Sequence, residues 1–382
     1  MNKTTIVIWV NSPPQVELGA FEGLQSSSGG SVIFAVLGKL RAERVNAGWS
    51  QHSFPEHVRN GLSVDDFTLL MNSKFPDAIH MFAGMTGRVG RALTVLTRSV
   101  PPKRILVYSE RPGVYGPCLK RISRALLQPI RYRYLARKYR RRVGILLPLG
   151  SAALRRFDRY GWPAENMAPF MYCPPVPEIG DKLRQSHEVV RFLYVGRLSR
   201  FAKGTDILMK ACDSLSGEWT LTIVGGHGDM CHEVERWSAT RERISYLGAL
   251  PSSQVGEVIA EHDVCIVPSR VDGWNVVINE AIYAGRGVIT TQNVGSDELV
   301  AAARAGIVID DHSHSSLAKA MQKVVNCPNL VEEWSRNAKN YSHSISPESV
   351  GVYISQLLDA LEFGRVPAEI SVPWLPKKPR ED

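Results

Sequence analysis

Two cations and two carboxylates, set in two short stretches of the second half of the chain, are the side chains best suited to chemistry. The first stretch, GRLSRFAKG (196–204), directly follows the apolar run RFLYV. Gly196 permits a tight turn, Arg197 and Lys203 place two positive charges at its mouth, and Gly204 lets the backbone approach closely before a helix opens near Thr205. A helix N-terminus offers unpaired N–H groups and the positive end of its dipole, so two cations beside one suit a diphosphate. An ordinary solvated loop is the other reading, because Arg and Lys are common in loops. The second stretch, VPSRVDGWNVVINEAIYAGRGVITT (267–291), carries Asp272 and Glu280 eight residues apart. Asp272 and the amides of Gly273, Trp274, Asn275 and Val276 fall at a helix start, with Glu280 two turns along that helix. A carboxylate there can hold vicinal hydroxyls bidentately, as an acidic residue holds a ribose in dinucleotide folds. Paired carboxylates also serve glycoside hydrolysis, but a mid-helix position suits binding better than proton transfer. A cap at Asp272 and a solvated Glu280 stand as the structural alternative.

These residues need rigid elements behind them. Short apolar runs alternate with amphipathic stretches over almost the whole chain, the pattern of α/β layers around parallel sheets. In the first half strands are expected at 5–10, 31–38, 78–82, 105–108 and 144–148, with helices at 87–96 and 119–142, Pro129 breaking the second. In the second half strands are expected at 190–195, 220–224, 244–247, 264–267 and 288–291. Helices there begin near Thr205, Ser252, Val277, Ser296 and Ser315, with Ser252 and Ser315 as N-caps. The proline-rich CPPVPEIG (173–180) marks the change of domain. The expected organisation is a first Rossmann-like domain at 1–175, a linker at 176–189 and a second Rossmann-like domain at 190–346. A helix at 347–364 then packs back toward the first domain, and a poorly ordered tail covers 365–382. Open parallel sheets bind ligands at the carboxyl ends of their strands, so two facing domains make a cleft lined by the residues just after each strand.

The order of motifs in the second half resembles the family-four, retaining glycosyltransferases along roughly 150 residues. GRLSRFAKG is followed by LTIVGGHG (221–228), ISYLGAL (244–250), VPSRVDGWNVVINEA and NVGSDELV (293–300). The resemblance implies a GT-B architecture, with Arg197 and Lys203 on the diphosphate of a UDP- or GDP-type sugar donor. It also puts Asp272 at the donor sugar, Glu280 on the ribose, and Gly196, Gly225, Leu247 and the 273–276 segment around the nucleotide. The chain departs from the family at two positions: Asp272 stands where Glu is usual, and Asn275 where glycine is usual. In the first half, Glu110 of YSERPG takes roughly the place of the family's histidine. There it can act on a developing sugar cation or an acceptor hydroxyl, or else pair structurally with Arg111 or Arg104. His80 and Gly84 fall near the expected cleft, although a lone histidine after an apolar run is more often a core residue.

The formal net charge of +9 is concentrated. Residues 111–156 hold thirteen Lys/Arg and no Asp or Glu, leaving the rest of the chain slightly acidic. Within 119–143 the apolar Leu119, Ile122, Leu126, Ile130, Tyr134 and Tyr139 recur at helical spacing among Arg131, Arg133, Arg137, Lys138, Arg140 and Arg141. That pattern suits a helix on an anionic membrane surface, serving a lipid-linked or surface-glycan acceptor. A helix packed on the sheet with a solvated basic back is the alternative. Nucleic acid is not expected, since no recognised module accompanies the charge.

No apolar run reaches the roughly 20 residues that span a bilayer, so a cytoplasmic protein, peripheral at most, is expected. The six cysteines are scattered without metal-ligand spacing. No Asp-x-Asp occurs, so neither a metal nor another cofactor is expected. NSPPQVELG after the first strand disfavours a nicotinamide enzyme, which needs a Gly-x-Gly-x-x-Gly turn there. A sugar-nucleotide epimerase and a non-catalytic sugar-nucleotide-binding scaffold remain as rivals to transfer.

Overall fold

The computed structural model describes residues 4–38, 62–113, 118–177 and 188–376, apart from the side chains of 118–123 and 368. In the first half, β1 (Thr5–Val10), β2 (Ser31–Val36), β3 (Ile79–Ala83), β4 (Ile105–Ser109) and β5 (Ile145–Pro148) pair in parallel in the order β2-β1-β3-β4-β5. They are flanked by α1 (Leu18–Ser28), α2 (Val64–Lys74), α3 (Gly87–Leu96), α4 (Cys118–Tyr139) and α5 (Ser151–Arg159). β1 reads as a continuous apolar run because both its faces are covered, and Ile6 to Val10 are all buried.

The second half builds a parallel sheet from β6 (Val190–Val195), β7 (Trp219–Val224), β8 (Ile244–Gly248), β9 (Val264–Val267), β10 (Gly287–Thr291) and β11 (Gly306–Ile309). Its order is β11-β10-β9-β6-β7-β8. The helices are α6 (Thr205–Cys212), α7 (Cys231–Ala239), α8 (Ser252–Glu261), α9 (Val277–Tyr283), α10 (Asp297–Ala303), α11 (His314–Asn326), α12 (Asn329–Ser342) and α13 (Pro347–Phe363).

Each sheet has one point where the winding direction reverses, and such a switch point opens a crevice for ligands. In the first sheet it lies between β1 and β3, and in the second between β6 and β9. Only two residue pairs, Phe192↔Val264 and Leu193↔Cys265, join β6 to β9. The strands therefore part before their carboxyl ends, and the loops that follow them are GRLSRFAKG and PSRVDG.

The two halves share buried surface. One apolar cluster runs from Ile8 and Tyr108 through Phe170 and Met171 to Trp274, Ile278 and Tyr283. α13 returns to the first half and lies on α1, with Gly23 against the Pro347 carbonyl and Gly351 against the Gly23 backbone.

Several sequence expectations need correction. α4 runs unbroken through Pro129. The carbonyl that a proline leaves unpaired lies in a stretch where Leu126, Leu127 and Ile130 are exposed, so water can satisfy it. α8 begins after Pro251 with no side-chain cap, and the cap of α11 is Ser313, not Ser315, its hydroxyl accepting from the Ser316 N–H. The tail is ordered as far as it is described. Trp374 is fully buried edge-on against Tyr353, 5.1 Å between centroids, and its carbonyl accepts from the Tyr341 hydroxyl. Most of the expected linker, 178–187, lies outside the described residues.

The helix contact gives a stability test. A Cβ on Gly351 would lie 2.1 Å from the Gly23 carbonyl carbon. Gly351→Ala should therefore lower the urea midpoint by the equivalent of about 1–3 kcal/mol, the usual range for overpacking. Gly364→Ala, where the added carbon meets nothing within 4 Å, tests only the left-handed backbone and should cost less.

Candidate active site in the interdomain cleft

Three loops at the carboxyl ends of β6, β7 and β8 interlock through backbone bonds. Gly196 N–H donates to the Val224 carbonyl (2.9 Å), Leu198 N–H to His227 (2.9 Å), Met230 N–H to Leu198 (3.1 Å) and Gly225 N–H to Gly248 (2.8 Å). A side chain on Gly225 would fall 2.1 Å from the Gly196 carbonyl oxygen, which explains why this position is glycine. Gly204 holds φ +68° at the start of α6, with the Pro268 carbonyl where a Cβ would sit. Tyr194 donates its hydroxyl to the Arg197 carbonyl (2.8 Å), and the Thr205 hydroxyl accepts from Ser199 N–H (3.0 Å). Arg270 then ties the loop after β9 to the loop after β6. It grips Asp206 bidentately at 2.6 and 2.8 Å, and its own N–H donates to the Ala202 carbonyl. This bracing sets the Lys203 ammonium directly on the Asp272 carboxylate as an ion pair.

Asn275, at the family's glycine position, has φ +83°. Asn is among the few non-glycine residues that tolerate the left-handed region. Its side chain is bonded at both ends, Nδ2 donating to Asp272 Oδ2 (3.0 Å) and Oδ1 accepting from Val277 N–H (3.2 Å). Asp272 Oδ2 is thus held by Lys203 and Asn275 together.

Glycine carries the contact between the halves at the cleft floor. A Cβ on Gly273 would lie 2.0 Å from Glu110 Oε2, and one on Gly295 would lie 2.0 Å from the Gly273 carbonyl. Polar bonds cross beside them: Arg111 Nη2 to the Asn293 carbonyl (2.9 Å), Asn279 Nδ2 to the Tyr172 carbonyl (3.1 Å) and Ser151 N–H to Glu298 Oε2 (2.8 Å). The last places a carboxylate at the N-terminus of α5, where N–H groups are otherwise unpaired.

The cavity above this floor has a volume of about 1060 Å³. Arg197, Lys203, Asp272 and Gly273 line it from one side, and Gly84 and Glu110 from the other. The Arg197 guanidinium makes no hydrogen bond or ion pair among the described residues. Glu110 is exposed rather than buried, and its Oε1 accepts from the Tyr172 hydroxyl at 3.1 Å. Arg104 pairs with Asp77. Tyr172 and Arg111 also line the cavity. Neither carries a sequence signal, since Tyr172 follows no strand and Arg111 reads as one charge in a basic run.

Other expected site residues lie elsewhere. His80 is fully buried under Trp9, whose Nε1–H donates to His80 Nδ1 (3.1 Å), and burial pushes its pKa down to about 4. It is a neutral core residue and not part of the cleft. The Trp274 side chain is buried in the shared core with its Nε1–H on Asn279 Oδ1 (2.9 Å), so it anchors the two halves and offers a ligand only its backbone. Gly196, Gly225, Leu247, Val276 and Glu280 stand outside the cavity lining, with Leu247 exposed on β8. Glu280 has no side-chain partner among the described residues, and burial of its carboxyl raises its pKa to about 7.

The faces of α4 differ from the expected pair. Its buried face is Leu135, Ala136 and Tyr139, whereas Leu126, Ile130 and Tyr134 are 67, 67 and 61% exposed. Each of those three is four residues from the next, one stripe of the helix, and Arg133 and Arg137 form the neighbouring stripe, with Arg141 in the turn after the helix. Apolar and basic groups therefore share the solvent side. Lys138 does not join them, because its ammonium donates to the Thr94 hydroxyl (3.2 Å) and lies 4.9 Å from the Tyr139 ring centre. Arg131 turns toward the cleft and lines the cavity.

Two facing Rossmann-like domains with a charged interdomain cavity define a protein of GT-B architecture. Residues 190–327 match the family model of the glycosyl transferases group 1. The alpha-D-kanosaminyltransferase of Streptomyces kanamyceticus is 24% identical over 151 residues, 38% of this chain and 39% of that one. The chain thus spans about two fifths of that curated relative's length. The structure of Anabaena HepE in complex with UDP-glucose is similar with a TM-score of 0.67 at 15% identity, covering 93% of this chain and 99% of that one. WaaG, a glycosyltransferase involved in lipopolysaccharide biosynthesis, gives 0.61 at 17% identity, covering 92% and 99%. At these identities the structural likeness speaks for the fold.

Two tests follow from the site. Asn275→Gly keeps the backbone and loses the side-chain bonds, whereas Asn275→Val also forces a branched residue into the left-handed region. The valine variant should be the less stable by about 1–2 kcal/mol in urea unfolding. The second concerns Glu280. Below pH 4.5 its carboxyl is protonated folded or unfolded; between 4.5 and about 7 the unfolded chain releases the proton first, so stability falls as pH rises and then levels. The melting temperature of Glu280→Gln minus that of the unaltered protein should be near zero at pH 4.5 and widest above pH 7.

Proposed function

We propose that the protein is a retaining, metal-independent glycosyltransferase that moves a sugar from a UDP- or GDP-type donor to an acceptor hydroxyl on a lipid-linked or surface glycan. The observation that carries this reading is the meeting of Arg197, Lys203 and Asp272 at the switch point of the second sheet, facing Glu110 across the cavity. Without donor, Lys203 neutralises Asp272. A diphosphate entering beside Arg197 competes for that ammonium and releases the Asp272 carboxylate to the sugar hydroxyls, with Asn275 still holding one oxygen in place. As the bond from the anomeric carbon to the diphosphate breaks, negative charge grows on the leaving group. Arg197 and Lys203 stabilise it from fixed positions, the kind of preorganisation that lowers barriers most. The acceptor hydroxyl attacks the same face and its proton passes to the departing phosphate oxygen, which retains configuration. Glu110, steadied by Tyr172 and the Gly273 backbone, sets a negative charge beside the developing sugar cation. Two protein cations supply the charge neutralisation that a metal clamp supplies elsewhere. Glu280 is assigned to the ribose hydroxyls.

The solvent side of α4 and the turn after it support attachment to an anionic membrane surface through Arg133 and Arg137 of the helix and Arg140 and Arg141 of the turn, with Leu126, Ile130 and Tyr134 entering the headgroup layer. No helix among the described residues is long and apolar enough to cross a membrane.

The reaction is tested by screening UDP-, GDP- and ADP-sugars for release of nucleoside diphosphate, with and without chelator. One donor should be cleaved, unaffected by chelator, and Arg197→Ala should slow it by about 100-fold or more. The anomer released, followed by NMR, should match the donor. Release of an epimerised sugar would instead make the protein an epimerase, and binding without turnover would make it a scaffold. For the membrane surface, sedimentation with vesicles containing phosphatidylglycerol should exceed that with phosphatidylcholine alone, fall with added salt, and fall again in Arg133→Glu/Arg137→Glu.

A further inference from the structure

A second cavity lies between α2, α3 and α4 and shares no lining residue with the reaction cavity. Its volume is about 440 Å³, within the roughly 300–1,000 Å³ of small-ligand sites. Met85, Val95 and Leu135 contribute apolar surface to it, and Asp65, Arg91, Arg98 and Lys138 contribute charge. That charge is out of balance. Asp65 is the one carboxylate in the lining, and Arg91 already grips it bidentately at 2.8 and 3.0 Å. Arg98 is exposed and shares the field of that carboxylate without bonding to it. Lys138 is half-buried, yet its ammonium meets only the Thr94 hydroxyl at 3.2 Å and the Tyr139 ring. The Thr94 hydroxyl is itself fully used, donating to the Gly90 carbonyl (2.8 Å) and lying 2.7 Å from the Tyr139 hydroxyl. An ammonium drawn partly out of water, with donors to spare and no carboxylate on it, is a place where an anion binds well.

Three cations against one carboxylate suit a dianion, and a phosphate monoester carries a charge of about −1.5 to −2 at neutral pH. We propose that this pocket binds a phosphate monoester, its oxygens on Lys138 and Arg98 and its carbon part beside the apolar lining. Two sources share that chemistry: the headgroup of phosphatidic acid and a soluble phosphate ester. Lys138 stands four residues beyond Tyr134, so the exposed stripe Leu126, Ile130, Tyr134 runs toward the pocket. A bilayer resting on that stripe brings headgroups to Lys138, whereas a soluble ester reaches it without one. The inference goes beyond the transfer reading and does not depend on it.

Calorimetry with glycerol 3-phosphate tests the soluble source. Binding should survive Arg197→Ala, which damages the cleft, and weaken by about tenfold or more in Lys138→Gln, with Lys138→Arg recovering part of the loss. Arg98→Gln removes an exposed side chain that bonds to nothing in the fold, and it should weaken binding as well. Sedimentation with phosphatidylcholine vesicles tests the lipid source. Vesicles carrying phosphatidic acid should take down more protein than those carrying phosphatidylglycerol at matched surface charge, and Lys138→Gln should abolish the difference. Either signal supports the pocket and names its source. The proposal is overturned if neither signal appears, if the one that appears is unchanged in both Lys138→Gln and Arg98→Gln, or if glycerol 3-phosphate binding disappears in Arg197→Ala. None of these readouts involves sugar transfer, so the transfer reading stands or falls separately.

Discussion

At the cleft floor the two halves meet through glycines that have no room for a side chain. Gly273, just after Asp272, has Glu110 of the other half against its Cα, and its carbonyl fills the space a Cβ on Gly295 would need. Gly150, at φ +77° ahead of α5, faces the Gly295 carbonyl in the same way. Each contact is backbone against backbone or against a carboxylate, so one added methyl group would drive the cleft floor apart. The geometry of the site follows from this closure, which brings Glu110 and the Lys203–Asp272 pair to one cavity although they lie in different sheets.

Around that floor the interface is part of the core and not an added contact. Trp274, Tyr283 and Phe170 belong to one buried cluster, and the polar groups taken in with them are bonded. Trp274 meets Asn279, Asn279 meets the Tyr172 backbone, and Cys173 lies 3.5 Å from the Tyr283 hydroxyl. Buried polar groups without such partners cost heavily, so these bonds hold the relative position of the halves as well as their association. The return of α13 onto α1 closes the same arrangement from the far side.

The electrostatics divide in a similar way. On the second-half side each charge next to the cavity has a partner or a bound backbone: Lys203 with Asp272, Arg270 with Asp206, and Arg197 with its carbonyl held by Tyr194. On the first-half side α4 brings Arg124 and Arg131 to the lining, with Glu110 beside them. One wall is braced to receive a single charged group in one orientation; the other offers positive charge and apolar surface along an open edge.

Much of this was legible in the residues. Strands β6 and β7 are apolar runs that end at Gly196 and Gly225, and β9 and β10 are buried throughout, since a strand buried on both faces has little freedom of composition. Arg197, Lys203, Asp272 and Gly273 are short-range features of those loops, and local spacing located them. Helical periodicity found α4 but not its orientation. Period 3.6 groups residues into faces without saying which face meets the sheet, and α4 has apolar residues on two of them. His80 takes the core place that a lone histidine in an apolar run more often has, and the Trp274 side chain is buried while its backbone stays at the cleft; which way such a side chain points is chosen by packing alone. The tertiary structure alone decided that Trp374 is buried, that Arg131 faces the cavity, and that Asn275 takes a glycine's backbone while clamping Asp272. Each depends on contacts between residues far apart in the chain, and such contacts leave no periodic trace in the order of the amino acids.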